Sequence, residues 1–126
     1  MNFDEIKNQL SGRHDQLALN VLDQLRDAQA GITRARLVAL NYPKGYTSQN
    51  ADRHVRRAIK RLRNLGLVIV SSTDHAGYRI ARRNETKIVR KFAEQQFKAA
   101  RSRMATARRV LRAYGLEGNL RMALGG

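Results

Sequence analysis

Residues 50–81 constrain the chain more than any other stretch. From Asn50 to Leu65 they read Asn-Ala-Asp-Arg-His-Val-Arg-Arg-Ala-Ile-Lys-Arg-Leu-Arg-Asn-Leu, and Gly66 follows. Turning about 100° per residue from Val55 brings Ala51, Ala58, Ile59 and Leu62 within about 60° of it. Asn50, Arg53, Arg57, Lys60 and Asn64 fall on the opposite side, with Gln49, Arg56 and Arg61 flanking them. One apolar stripe and one stripe of donors describe a helix with its back in a core and a cationic front. Gly66 between Leu65 and Leu67 predicts a left-handed helix stop sealed by an apolar contact. The next residues, Leu67 to Ser72 and Tyr78 to Ala81, read as two short strands joined by the polar turn Thr73 to Gly77.

Charge is distributed to match. The chain of 126 residues carries 25 Lys and Arg against 10 Asp and Glu, a net +15. Residues 1–47 are nearly neutral at +1, whereas 48–83 and 84–126 each carry +7. The first segment therefore reads as scaffold and the other two as surfaces that meet a polyanion. Nucleic acid is the expected partner. With 42% hydrophobic residues the chain can build a small core. It contains no cysteine, which excludes disulfides and thiolate metal sites. No apolar run reaches the ~20 residues of a membrane span, and Met-Asn-Phe-Asp-Glu is no secretory leader. The expected location is cytoplasmic, nucleoid-associated in a bacterial host.

Upstream, Phe3 to Leu10 reads as a short helix. His14 to Ala30 reads as a longer one, with Leu17, Val21, Leu22, Leu25 and Ala28 on one face and Gly31 ending it. Thr33 is the expected N-cap of the next helix, whose buried side is Leu37, Val38 and Leu40. Asn41 to Thr47, with Pro43 and Gly45, reads as a turn, after which Ser48 or Asn50 caps the basic helix.

The run Asp52-Arg53-His54-Val55-Arg56-Arg57-Ala58-Ile59, then Leu62, Gly66, Ile69-Val70-Ser71-Ser72 and Gly77-Tyr78-Arg79-Ile80-Ala81, resembles the winged helix-turn-helix domains of small bacterial and phage DNA-binding proteins. The likeness covers roughly residues 14–83. It implies a mainly α fold with a small β-hairpin, and duplex DNA bound by helix 48–66 and wing 67–82. Residues near the helix start reach deepest, so Gln49, Asn50, Arg53 and Arg57 are the expected base-contacting residues. Lys44, Arg56, Lys60, Arg61, Arg79 and Arg82 are the expected phosphate contacts. The turn from Asn41 to Thr47 is longer than in the simplest members of that family. It leaves open which of Gln49, Asn50 and Arg53 reads bases.

Asn84 is expected to restart a helix that meets no Gly or Pro until Gly115. Ala93, Phe97, Ala100, Met104, Ala107, Leu111 and Tyr114 recur at alternating spacings of 4 and 3, an a/d seam over about three heptads. Three arrangements compete: a homodimer through this seam, a helix folded back on Leu17 to Leu25, and an amphipathic helix on a membrane surface. The domain plan is thus a winged helix-turn-helix over 1–83 with its core in 14–83, a long basic C-terminal helix over 84–115, and a tail over 116–126.

Catalytic patterns are missing. His14, His54 and His75 lie on different elements without metal-ligand spacing. Asp74-His75 sits on a turn with no nucleophile nearby in sequence, and Ser71 and Ser72 lack a glycine elbow. No acidic cluster could hold nuclease metals. A non-enzyme is expected, with no cofactor, metal, small-molecule ligand or membrane partner. The leading expectation is a phage or bacterial transcriptional regulator. Its rivals are a non-specific architectural or replication-accessory DNA-binding protein, and a phage protein that binds and inhibits a host protein.

Overall fold

A computed structural model describes residues 2–43, 48–71 and 77–117. The chain forms two compact units, Met1–Glu85 and Thr86–Gly126. It is mainly helical, with one small antiparallel hairpin. The first unit runs α1 (Phe3–Gly12), α2 (Gln16–Asp27), α3 (Arg34–Asn41), α4 (Ser48–Asn64), β1 (Ile69–Ser71) and β2 (Tyr78–Ile80). The second is α5 (Thr86–Ala113) with its ending.

Local chemistry sets the helix ends. The side chains of Asn2, Asp15 and Thr33 accept hydrogen bonds from the amides of Glu5, Ala18 and Arg36 at 3.1, 3.2 and 3.1 Å, capping α1, α2 and α3. The expected stop at Gly66 is a full Schellman closure. Gly66 has φ +101°, its amide donates to the Arg63 carbonyl at 3.0 Å, and the Leu67 amide donates to Leu62 at 3.2 Å. Leu62 and Leu67 are both fully buried, which supplies the apolar seal.

Three helix boundaries and one buried position differ from expectation. The helix expected over residues 14–30 is shorter at both ends: His14 takes φ +54° to close α1, Asp15 caps α2, and α2 ends at Asp27. Neither Ser48 nor Asn50 flanks α4 from outside, because both lie within its first turn. The residue before Ser48 lies outside the described set. The long helix begins at Thr86, two residues after Asn84, because the Glu85 carboxylate turns back to accept from the Arg82 amide at 2.8 Å. Leu40 is 45% exposed, since the inward position on α3 belongs to Asn41. The Asn41 amide exchanges hydrogen bonds with Gln24 of α2 (2.7 and 3.3 Å) and donates to the Leu37 carbonyl at 2.8 Å.

The core joins Ile6 and Leu10 of α1, Ala18, Val21, Leu22 and Leu25 of α2, Leu37 of α3, Val55, Ala58, Ile59 and Leu62 of α4, and Leu67 and Ile69 beyond them. It therefore starts at residue 6 rather than 14, because α1 contributes two buried side chains. The hairpin pairs Ile69 with Ile80, Val70 with Arg79 and Ser71 with Tyr78. A third segment completes it: Ile32, between α2 and α3, exchanges two 2.8 Å backbone hydrogen bonds with Tyr78. Gly77 makes that approach possible. Its φ is +72°, and a Cβ there would fall 2.6 Å from the Thr33 Cα and closer still to the Ile32 carbonyl oxygen.

Candidate nucleic-acid interface

The apolar stripe of α4 is buried as its spacing predicts. Ala51, Val55, Ala58, Ile59 and Leu62 are each 0–1% exposed. That burial turns the opposite face outward over a helix of 17 residues, about 26 Å long. Gln49, Asn50, Arg53, Arg57, Lys60 and Asn64 are all exposed there. Among the described residues none of them has an ion-pair or side-chain hydrogen-bond partner. A row of donors without internal acceptors can bind an external one without first breaking a bond.

Several other cations of the unit are engaged inside it. Asp52, half-buried on α4, pairs with Arg34 at the start of α3 and with Arg56 one turn on at 3.2 Å. Arg34 is held firmly charged, first by the Tyr78 hydroxyl and then by Asp52. Arg34 thus links α3, α4 and the hairpin, and Asp52 steers Arg56 along the helix surface. Arg63 donates to the Ile69 carbonyl at 2.6 and 3.2 Å, tying the end of α4 to β1.

Arg61 and Arg79, expected as phosphate contacts, are each ion-paired within the fold. Arg61 grips Asp15 with two nitrogens, one at 3.0 Å to Oδ1, joining α4 to the start of α2. Burial opposes charge on Asp15, but the bonds from Arg61 and the Ala18 amide outweigh it and hold the carboxyl below its usual range. Arg79 holds Glu85 at 2.7 and 2.9 Å. That bond and the one from the Arg82 amide bring the Glu85 pKa down to about 2. Both guanidiniums serve the fold, since releasing either strands a carboxylate. Sequence reading missed this because each acid lies outside the helix or strand of its arginine. Asp15 is 46 residues from Arg61.

Arg56 and Lys60 remain exposed on α4, and Arg82 and Arg83 are exposed after β2. Lys44 and the wing tip at Thr73 to Ala76 lie outside the described residues. A groove of about 990 Å³ is lined by Phe3, Leu25 and Ile80, with Asp23 and Asp27 beside Arg26, Arg82 and Arg83. Its charges alternate in sign, so it gathers no field comparable to the face of α4. Among the described residues no group of three His, Cys, Asp or Glu could hold a metal ion, and no helix is long and apolar enough to cross a membrane.

On α5, the seam residues Ala93, Phe97, Ala100, Met104, Ala107 and Leu111 share one face and none is buried. Lys87, Lys91, Lys98, Arg109 and Arg112 line the other, while Arg90, Arg101, Arg103 and Arg108 flank the seam. The first unit's core is closed by its own residues, with Val21, Leu22 and Leu25 at most 1% exposed.

No protein-family model, curated protein or solved structure matches the chain.

Proposed function

We propose that this chain is a duplex-DNA-binding protein of the winged helix-turn-helix type, acting as a transcriptional regulator of phage or bacterial kind. In this reading α2, α3 and α4 are the three helices, α4 enters the major groove, and β1 and β2 form the wing. One observation carries it: the outward face of α4 presents Gln49, Asn50, Arg53, Arg57 and Lys60 unengaged, while Arg61 and Arg63 on the same helix are bound into the fold. The two-bond junction of Ile32 with Tyr78 supports the winged topology, because it makes the hairpin the edge of a small sheet rooted between α2 and α3.

Gln49, Asn50, Arg53 and Arg57 are assigned to base edges, where Arg matches guanine O6 and N7 and Asn or Gln matches adenine N6 and N7. Arg56, Lys60 and Arg82 are assigned to phosphates. Binding is tested by fluorescence anisotropy on duplex DNA at 50 and 200 mM salt. Engaging about six phosphates lowers affinity roughly 10³-fold across that range. Affinity that stays flat overturns the DNA reading in favour of a protein partner. Selection from random duplexes then separates the regulator from an architectural role: an enriched motif supports the first, and its absence the second.

A further inference from the structure

The exposed face of α5 carries information about what covers it. Phe97 is 65% exposed and Met104 41%. A helix of 28 residues, about 42 Å long, does not keep such a face in water without cost. Its large residues Phe97, Met104 and Leu111 recur every seventh position. Ala93, Ala100 and Ala107 recur every seventh position between them.

That alternation discriminates between orientations. In a parallel pair, equivalent residues face each other. Phe, Met and Leu layers would then be crowded while the alanine layers between them would be hollow, against the even density that interiors require. In an antiparallel pair each large residue faces an alanine: Phe97 against Ala107 of the second copy, Met104 against Ala100, and Leu111 against Ala93. Every layer then holds one large and one small side chain.

Charge favours the same register. It sets Glu94, the one acid on a helix bearing nine cations, beside Arg108 of the second copy, twice by symmetry. It also brings Tyr114 against Arg90 of the second copy, ring to guanidinium. In a parallel pair Glu94 meets Val89, and Arg103 meets Arg108. The antiparallel pair retains two repulsions: Arg101 and Arg103 each meet their own counterpart near the twofold axis.

We propose that α5 pairs with α5 of a second copy in antiparallel orientation, with Phe97, Met104 and Leu111 of each chain seated on Ala107, Ala100 and Ala93 of the other. The Thr86 residues then lie at opposite ends of the pair. Screening by salt relieves the arginine contacts, so self-association strengthens with ionic strength while any phosphate binding weakens. The pairing is independent of the DNA reading.

The test uses the full chain, whose lack of cysteine makes single-cysteine variants unambiguous. Met104→Cys and Ala100→Cys are oxidised separately and as an equimolar mixture, with circular dichroism checking that helicity is retained. Antiparallel pairing predicts a mixed 104–100 disulfide as the main product and several-fold less product from either variant alone. The pair Leu111→Cys and Ala93→Cys repeats the test one layer away. Efficient cross-linking of Met104→Cys with itself overturns the orientation. A chain that stays monomeric at micromolar concentration in 1 M salt, with no mixed product, overturns the pairing.

Discussion

Replacing Gly77 by alanine separates backbone strain from close approach, because Gly66 provides the matched control. Both glycines have positive φ, +72° and +101°. An added Cβ at Gly66 meets nothing within 4 Å, whereas at Gly77 it enters the backbone of Ile32 and Thr33. The strain shared by both costs about 1–2 kcal/mol. At Gly77 the Ile32 backbone must also move, which breaks its two hydrogen bonds to Tyr78, about 1 kcal/mol each. Gly77→Ala is therefore expected to lose about 3–4 kcal/mol and Gly66→Ala about 1–2. A unit spanning Met1–Glu85 has a total stability of roughly 4–13 kcal/mol, so the first loss is a large share of it. At roughly 4–8 °C per kcal/mol, melting followed by circular dichroism should fall about 12–30 °C for Gly77→Ala and about half that or less for Gly66→Ala. Hydrogen exchange localises the effect, since the amides of Ile32 and Tyr78 should lose protection only in Gly77→Ala. Equal losses in the two variants, or retained protection at those amides, would refute the argument that Gly77 is required by the Ile32 junction.

Other substitutions probe the interface and the ion pairs. Arg53→Ala should cost about 1–3 kcal/mol on a selected DNA site and less on random duplex, whereas Lys60→Ala should weaken both alike; matched behaviour in anisotropy titrations would undo the division into base and phosphate contacts. Asp15→Ala removes the α2 cap and strands Arg61, so a loss near 2 kcal/mol is expected in denaturant unfolding. Asp15→Asn, which keeps an oxygen for the Ala18 amide, should lose about half as much. Acid should destabilise the first unit, because Asp15 and Glu85 both have carboxyl groups held below their usual range. A depressed folded pKa gives stability that is present above about pH 4.5 and lost as pH falls toward 2. Glu85→Gln should flatten that acid limb in melts recorded from pH 5 to pH 2, and an unchanged limb would show that the Arg79–Glu85 pair does not contribute.

What the chain declares by itself is local. Thr33 three residues before Arg36, Gly66 between two leucines, and the stripe Ala51, Val55, Ala58, Ile59 and Leu62 are governed by interactions within one or two turns, so reading along the chain finds them. The outward face of α4 was legible for the same reason: once the stripe is buried, helix geometry dictates what points away from it. Tertiary structure alone decided the rest. Ile32 is a single residue in no periodic pattern, and only the return of the hairpin supplies its partner. Leu40 gave up the inward side of α3 because Asn41 found Gln24 across the gap, a choice made by a residue 17 positions away. Arg61 and Arg79 look like their exposed neighbours in the sequence, yet each is claimed by a carboxylate outside its own helix or strand. Periodicity reports which way a side chain points. Whether its charge is already neutralised depends on what the fold brings to meet it.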